Sequence, residues 1–168
     1  FELFSDEKLN LMVNAADNVF QEWKKSTFEQ RSKLMHTTAA LLKGNSRKWA
    51  EPIVKEMGKP IKEALAEIEK CAWVCEFYAD NAKRFLEDEP ITTEASESYV
   101  RHDPLGLILG IMPWNYPFWQ VLRFAAPTLM AGNVVMLKHA TNVSRCGLML
   151  EELFIEAGFP KAAFQTVI

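Results

Sequence analysis

The sequence predicts an α/β protein in which a helical N-terminal part precedes a β-α-β-α-β half of a doubly wound parallel sheet, with a small β-hairpin between them. Up to about residue 87, apolar residues recur at three- and four-residue spacing, which is typical of amphipathic helices. After residue 104, apolar segments of strand length alternate with segments of helix length. Continuous apolar strands separated by helices indicate a parallel sheet that is covered on both faces.

The first part contains four predicted helices. Ser5 is suited to cap the first helix, and Thr27 begins a capping box for the second, which we expect to end near Gly44. A third helix is predicted from about residue 47 to 57, and Pro60 then fits the first turn of a long helix that reaches about residue 87. The apolar stripe of that long helix predicts its buried face: Ile61, Leu65, Ile68, Ala72, Cys75 and Ala79.

The second part begins with a polar, β-favouring segment at residues 91–104, which predicts one or two exposed strands. From residue 104 to 137, Arg123 is the only charged residue, so a membrane span is an alternative. Prolines and polar residues cut this stretch into pieces too short to cross a bilayer. The predicted elements are therefore a strand at 105–111, a turn at 113–117, a helix at 118–130, a strand at 134–138, a helix at 143–157 and a strand at 163–168.

The composition excludes several classes of protein. The 168 residues are 49% hydrophobic and 24% charged, as in ordinary globular domains and unlike disordered chains. A formal net charge of −3 gives no indication of a nucleic-acid or membrane partner. Three cysteines and no evident signal peptide favour a reducing compartment, so we expect a cytoplasmic protein. Because the first residue is not Met and the last residues are apolar, we expect the chain to be part of a longer protein.

Two segments lie where a ligand site is expected. Doubly wound sheets bind ligands beyond the carboxyl ends of their strands, and residues 112–116 and 138–142 follow the first two predicted strands. These segments belong to GIMPWNYPFWQ and GNVVMLKHATN, which are the most unusual stretches of the sequence. With PLG at 104–106 and EAGFP at 156–160, they resemble the aldehyde dehydrogenase superfamily, and KHATNV looks like its succinate semialdehyde dehydrogenase branch.

The resemblance covers the whole chain and carries expectations for the whole protein. It implies that residues 1–168 are the N-terminal part of an NAD(P)-binding domain, with an oligomerisation hairpin at about 90–104 and the catalytic domain absent. It also implies a homo-oligomer that binds NAD or NADP and oxidises a small aldehyde, such as succinate semialdehyde, to the carboxylic acid. Two alternatives are a CoA-acylating or phosphorylating relative and a non-catalytic binding module with the same fold.

The resemblance assigns the catalytic role to Asn115. This residue matches the side-chain donor to the oxyanion of the reaction, a task that suits a buried, rigidly held carboxamide. The alternative is that Asn115 merely caps the helix that follows. We expect Asn115 to face the same cavity as Lys138.

The resemblance also assigns cofactor contacts. Lys138 matches the lysine that binds the adenosine ribose, although a lysine at the end of a strand also suits a purely solvent-exposed role. Thr141 stands where many members have glutamate. A neutral threonine removes the repulsion toward a 2′-phosphate, so NADP becomes possible. A second departure is His139, which replaces the commoner proline. The segment expected to line the ribose and nicotinamide, or alternatively to form core and turn, is Ile111, Met112, Pro113 and Trp114.

Three further residues match the substrate site. Arg123 lies alone in an apolar helix and matches the arginine that binds the substrate carboxylate, for which a planar guanidinium is suited. The alternative is a structural ion pair with a glutamate, since burying an unpaired guanidinium is costly. Tyr116 and Trp119 match residues of the aldehyde channel, but core packing also explains them.

None of the cysteines matches the nucleophile of the family. Cys71 and Cys75 lie one helical turn apart, and without further ligands at suitable spacing we expect two core residues and no metal site. Cys146 falls in a predicted helix. We therefore expect the 168 residues alone to be inactive.

Overall fold

The computed structural model describes all residues, 1–168, and consists of six helices and two small sheets. The helices are α1 (Asp6–Trp23), α2 (Phe28–Gly44), α3 (Ser46–Met57), α4 (Ile61–Phe85), α5 (Trp119–Met130) and α6 (Ser144–Glu156). The strands are β1 (Glu89–Pro90), β2 (Tyr99–Val100), β3 (Leu107–Met112), β4 (Val134–His139) and β5 (Phe164–Val167). This order confirms the predicted α/β fold with its β-α-β-α-β unit and hairpin.

Local capping explains why the first helices begin where the sequence predicts. The hydroxyl of Ser5 accepts a hydrogen bond from the backbone N–H of Lys8 at 3.2 Å. Thr27 and Gln30 form the expected reciprocal capping box, with distances of 3.2 Å and 2.8 Å. These contacts satisfy N–H groups that have no partner inside a helix. Gly58 then ends α3 in the left-handed conformation, with a φ of 73°.

The main sheet is parallel, in the order β3-β4-β5, and helices cover both of its faces. Successive strand residues point to opposite faces, and β5 shows which helix lies on each. Gln165 donates to the carbonyl of Met12 in α1 at 2.9 Å, whereas Thr166 donates to the carbonyl of Gly147 in α6 at 2.7 Å. Gly110 pairs with Leu137, which pairs with Thr166, so Gly110 faces the same side of the sheet as Thr166. A Cβ at Gly110 would meet the ring of Phe124 in α5, so α5 and α6 cover the same face.

Several boundaries differ from prediction by one or two residues, and two of these differences have identifiable reasons. The strand expected at 105–111 begins at Leu107, because the N–H groups of Leu105 and Gly106 donate to the Asn133 side chain at 2.6 Å and 3.0 Å instead of entering the ladder. The helix expected at 143–157 begins at Ser144, after a 3-10 turn at Thr141–Val143. No helix of the chain combines the length and the apolar character needed to cross a membrane.

The long helix α4 buries most of its predicted stripe. Four members of that stripe are buried, Ile68, Ala72, Cys75 and Ala79. Ile61 at its start is 40% exposed, so the prediction is wrong there. The buried face instead includes the carboxylate of Glu67, which is 4% exposed and which the apolar pattern does not predict.

The hairpin strands are exposed, as the polar segment predicts, but they are only two residues long. Its strands pair antiparallel over two residues each, with Glu89 opposite Val100 and Pro90 opposite Tyr99. All four residues are exposed. Outside this short ladder, the segment between the strands has no regular structure.

Candidate functional site

Asn115 lies in the turn between β3 and α5, at the carboxyl end of the sheet. It is exposed, so the expectation of a buried carboxamide is wrong for this chain. The residue lines an open groove of about 600 Å³ between this turn and α4. The other residues that line the groove are Glu63, Ala66, Glu67, Lys70, Tyr116, Trp119 and Gln120.

The carboxamide of Asn115 does not cap α5. The first N–H groups of that helix, at Phe118 and Trp119, donate to a carboxylate oxygen of Glu67 at 2.9 Å and 3.0 Å. No residue of the turn itself provides a side-chain cap. The capping alternative is therefore wrong, and the amide N–H groups of the Asn115 side chain are free to donate to a ligand.

A buried ion pair supports this turn from α4. The ammonium of Lys59 lies 2.5 Å from Glu67, and the two side chains are 6% and 1% exposed. Lys59 also donates to the main-chain carbonyl of Asn115 at 3.1 Å and lies 3.8 Å from the centroid of the Tyr116 ring.

His139 holds the same turn from β4. Its Nε2 lies 2.9 Å from the carbonyl oxygen of Pro117, and its Nδ1 lies 3.0 Å from the N–H of Ala140. Burial lowers the pKa of His139. A neutral ring that donates from Nε2 and accepts at Nδ1 satisfies both contacts.

Two of the three residues predicted for the substrate channel, Tyr116 and Trp119, line the groove, whereas Arg123 does not. Tyr116 is 48% exposed, which excludes a core role. Trp119 is partly buried against the core, and the ammonium of Lys70 lies 4.0 Å from its ring centroid. Arg123 follows Trp119 by one helical turn, so the two share a face of α5.

Arg123 is free of partners within the chain. It is exposed, so the expectation of a buried guanidinium is wrong. It is absent from all ten ion pairs of the structure and donates no hydrogen bond, which rules out the alternative of a structural ion pair within this chain. Its charge is available to an anion from outside the 168 residues.

Two of the predicted cofactor residues, Ile111 and Lys138, face the opposite side of the sheet from α5. Gly110 and its register partner Leu137 face α5, so Ile111 and Lys138, which follow them and pair with each other, face the α1 side. Lys138 is partly buried and donates to the carbonyl of His139 at 2.8 Å. It does not line the Asn115 groove. The single cavity expected for the two residues is therefore not found in this chain.

The end of β3 and the segment that follows it are largely exposed. Ile111 is 73% exposed and Trp114 is 51% exposed, while Pro113 is exposed and Met112 is partly buried. A core position is thus wrong for Ile111, whereas Pro113 and Trp114 lie in the predicted turn after β3 and Met112 packs partly against the core. Thr141 is exposed in the 3-10 turn that follows β4. The segments after β3 and β4 adjoin, since the N–H of Ala140 donates to the carbonyl of Met112 at 3.1 Å.

The cysteines are unsuited to nucleophilic chemistry. Cys71, Cys75 and Cys146 are all buried and free, which confirms the prediction of core residues for Cys71 and Cys75, and Cys146 lies in α6 as its predicted helix requires. Burial raises the pKa of each thiol above its ordinary value. Since only the thiolate is a strong nucleophile, none of the three is activated for attack.

Comparisons with known proteins cover the whole chain. The Aldehyde dehydrogenase family matches residues 1–168. A probable succinate-semialdehyde dehydrogenase (NADP+) from Synechocystis sp. is 49% identical over 168 residues, which are all of this chain and 37% of that protein. Succinate-semialdehyde dehydrogenase (NADP+) 1 from Mycobacterium bovis is 42% identical over 171 residues, again with 37% of its length covered.

Solved structures give the same result. The crystal structure of succinic semialdehyde dehydrogenase from Streptococcus pyogenes in complex with NADP+ superposes with a TM-score of 0.95 at 33% identity, over 99% of this chain and 37% of that one. A structure described for cofactor and substrate selection by Gox0499 gives a TM-score of 0.97 at 37% identity. The chain thus spans about 37% of the length of these relatives. With the match over its full length, this chain belongs to the aldehyde dehydrogenase family.

Proposed function

We propose that the chain is the N-terminal part of an NADP-dependent aldehyde dehydrogenase that oxidises succinate semialdehyde, or a similar ω-carboxy aldehyde, to the carboxylic acid. The observation that carries the proposal is the similarity of the whole chain, at 42–49% identity, to part of two proteins named as NADP+ succinate-semialdehyde dehydrogenases, one of them as a probable one. The free amide of Asn115 and the unpaired guanidinium of Arg123 supply the two polar functions that such a substrate requires.

Asn115 acts as the oxyanion donor in this proposal. Negative charge develops on the aldehyde oxygen when a nucleophile adds to the carbonyl carbon, and a fixed N–H donor stabilises that charge more than it stabilises the neutral aldehyde. The contribution of one such donor is about 3–4 kcal/mol. The exposed side chain of Asn115, on a turn whose main chain is bound at several points, fits this role.

The residues around the end of β4 fit NADP. The ammonium of Lys138 is suited to donate to ribose hydroxyls, and the neutral Thr141 leaves room for a 2′-phosphate without charge repulsion. Ile111 and Trp114 offer exposed apolar surface next to these residues. When bound, the cofactor supplies the two-electron acceptor for the oxidation. Because a dinucleotide is long, its two ends do not need a common cavity, which agrees with the separate positions of Lys138 and Asn115.

Arg123 determines the substrate class in this proposal. A guanidinium binds a carboxylate through two parallel hydrogen bonds, and Arg123 follows by one helical turn Trp119, which lines the groove together with Asn115. An aldehyde with a distant carboxylate therefore meets a donor at each end. A neutral aldehyde has no carboxylate, so only the Asn115 amide binds it.

The nucleophile and the general base belong, in this proposal, to the remainder of a longer protein. The three cysteines of the chain are buried thiols with raised pKa values. We therefore infer that the 168 residues alone do not turn over an aldehyde. We further infer that the hairpin of β1 and β2, with its exposed Tyr99 and Val100, contacts a second copy in a homo-oligomer.

The substrate assignment is tested by replacing Arg123 in the longer protein. We expect Arg123→Leu to lower kcat/KM for succinate semialdehyde by roughly 10- to 100-fold, because a charge-assisted hydrogen-bonded contact is lost. Kinetics with a neutral aldehyde of similar length should stay within about threefold, since that substrate does not use the guanidinium. Arg47→Leu, at an exposed arginine of α3, serves as the matched control.

Three results would contradict parts of the proposal. Equal losses on neutral and carboxylated aldehydes would remove the role of Arg123. Product formation only when CoA or phosphate is added would identify an acylating relative. The absence of NADP-dependent turnover in the intact longer protein would favour a non-catalytic module.

A further inference from the structure

The turn that carries Asn115 is bound by side chains from three other parts of the chain. Lys59, before α4, donates to the carbonyl of Asn115 at 3.1 Å. Glu67, within α4, accepts from the N–H groups of Phe118 and Trp119. The third is His139 of β4, whose Nε2 lies 2.9 Å from the carbonyl oxygen of Pro117. The bound peptide groups are those of Asn115 itself and of Pro117, Phe118 and Trp119, which follow it.

All of these contacts are made to the main chain. The side chain of Asn115 takes part in none of them, so its amide remains available while the position of its Cα is determined by its neighbours. This arrangement separates the group that would act on a substrate from the groups that position it. Displacements of about 1 Å at a reacting group are costly in rate, so positioning of this kind affects catalysis.

Both carboxylate oxygens of Glu67 are bound within the protein. One carboxylate oxygen accepts the two N–H groups, and the other accepts from Lys59. The side chain is 1% exposed although the residue borders the groove. A base would need a free oxygen that reaches the substrate, so we exclude a base role for Glu67.

Stability alone explains this buried pair poorly. A buried ion pair is often no more stabilising than apolar residues of similar size, because both charges lose their hydration. The better explanation is structural specificity, since the carboxylate lies at the N-terminus of α5, where it binds otherwise unpaired N–H groups and favours the helix dipole. This contact determines where α5 begins, and thereby the direction of the turn before it.

We propose that Lys59, Glu67 and His139 are positioning residues that fix the Asn115 carboxamide for oxyanion binding by holding the main chain of residues 115–119. The inference rests on the proposed function of Asn115. In this proposal, none of the three residues contacts the substrate. They act on the reaction only through Asn115.

A hydrogen-exchange measurement on the 168-residue chain tests the contacts without any activity. In Glu67→Gln, the amides of Phe118 and Trp119 should exchange at least about tenfold faster, because a charged acceptor is replaced by a neutral one. Glu69→Gln, at an exposed glutamate on the same helix, should leave both rates unchanged. Unchanged exchange in Glu67→Gln would overturn the proposal.

A double-mutant cycle in the longer protein tests the role in catalysis. Glu67→Gln should lower kcat about tenfold with little change in KM for NADP, yet cause no further loss when Asn115 is already alanine. Equal losses in both backgrounds would show a merely structural role and overturn the proposal. If Glu67→Gln does not fold, Lys59→Met provides the same cycle, and Lys59→Arg should restore part of the lost kcat. If Asn115→Ala itself keeps full activity, the proposed function of Asn115 is wrong. The hydrogen-exchange measurement then still tests whether Glu67 holds the amides of Phe118 and Trp119.

Discussion

At the turn after β3, the side chain of Asn115 is free while the main chain around it is bound. The residues responsible are distant in sequence, at separations of 56 residues for Lys59, 51 for Glu67 and 22 for His139. Sequence patterns identify Asn115 because its neighbours carry a family resemblance. They do not identify the residues that support it, because Lys59, before the start of α4, and Glu67, on its buried face, contact the turn only when α4 packs against α5.

His139 should make the stability of the chain depend on pH. Burial lowers its pKa below the ordinary value of 6.5 in the folded state, while the unfolded chain keeps that value. As the pH falls through 6.5 toward the folded pKa, the unfolded state takes up the proton first, so the free energy of unfolding decreases in that window and is fully retained above it. The charges nearest the ring oppose one another, with Glu56 raising the pKa and Lys138 lowering it.

Urea unfolding at pH 7.5 and pH 5.5 measures this effect. The wild-type chain should lose more stability between the two values than His139→Gln, whose side chain does not titrate. Burial raises the pKa of Glu151, which acts in the opposite direction, but this contribution is common to both proteins and cancels in the comparison. Equal losses in the two proteins would show that His139 is not the titrating group.

At the scale of elements, the helices were predictable because their signals are local. Ser5 and the Thr27–Gln30 box mark helix starts within four residues, and Gly58 marks an end. The start of β3 was not predictable to the residue, because the side chain of Asn133, 28 residues away from Leu105, takes the N–H groups that a longer strand would use. The exposure of Arg123 was also predicted wrongly, because its apolar neighbours in the sequence suggested that it is buried.

The packing of β3 against α5 depends on a glycine. A Cβ added at Gly110 would lie 2.5 Å from Cε1 of Phe124, which is closer than carbon atoms approach without displacement. We expect Gly110→Ala to lower the free energy of unfolding by about 1–3 kcal/mol, as overpacking does in other cores. Thermal or urea unfolding of the chain provides the measurement.

Gly44→Ala is the matched control for this substitution. Gly44 is the last residue of α2, and a Cβ there would meet nothing within 4 Å. This change should be neutral or stabilising by up to about 1 kcal/mol, because alanine restricts the unfolded chain. A second change, Phe124→Leu, should recover part of the loss in Gly110→Ala; no loss in Gly110→Ala to begin with would contradict the packing account.

At the scale of the whole molecule, the proposed cofactor site and the proposed aldehyde site lie on opposite faces of the sheet, at the carboxyl ends of its strands. Lys138 and Ile111 pair in register on the α1 side, where the adenosine end of a dinucleotide is proposed to bind. Asn115 and Trp119 line the groove on the side of α4 and α5, where the aldehyde is proposed to bind. The topology was predictable from the alternation of apolar strands and helices. The division between faces was not, because it depends on the register of β3 with β4 and on which helix covers each face.

The central claim is that Asn115 stabilises the oxyanion of an aldehyde oxidation. Its most direct test is the steady-state kinetics of Asn115→Ala in the longer protein with succinate semialdehyde and NADP, with Asn10→Ala, at an exposed position of α1, as the control. We predict that Asn115→Ala lowers kcat by roughly 100- to 1,000-fold while KM for NADP changes little, as loss of a single oxyanion donor does. A variant that keeps the wild-type kcat, or that loses only affinity for NADP, would contradict the claim.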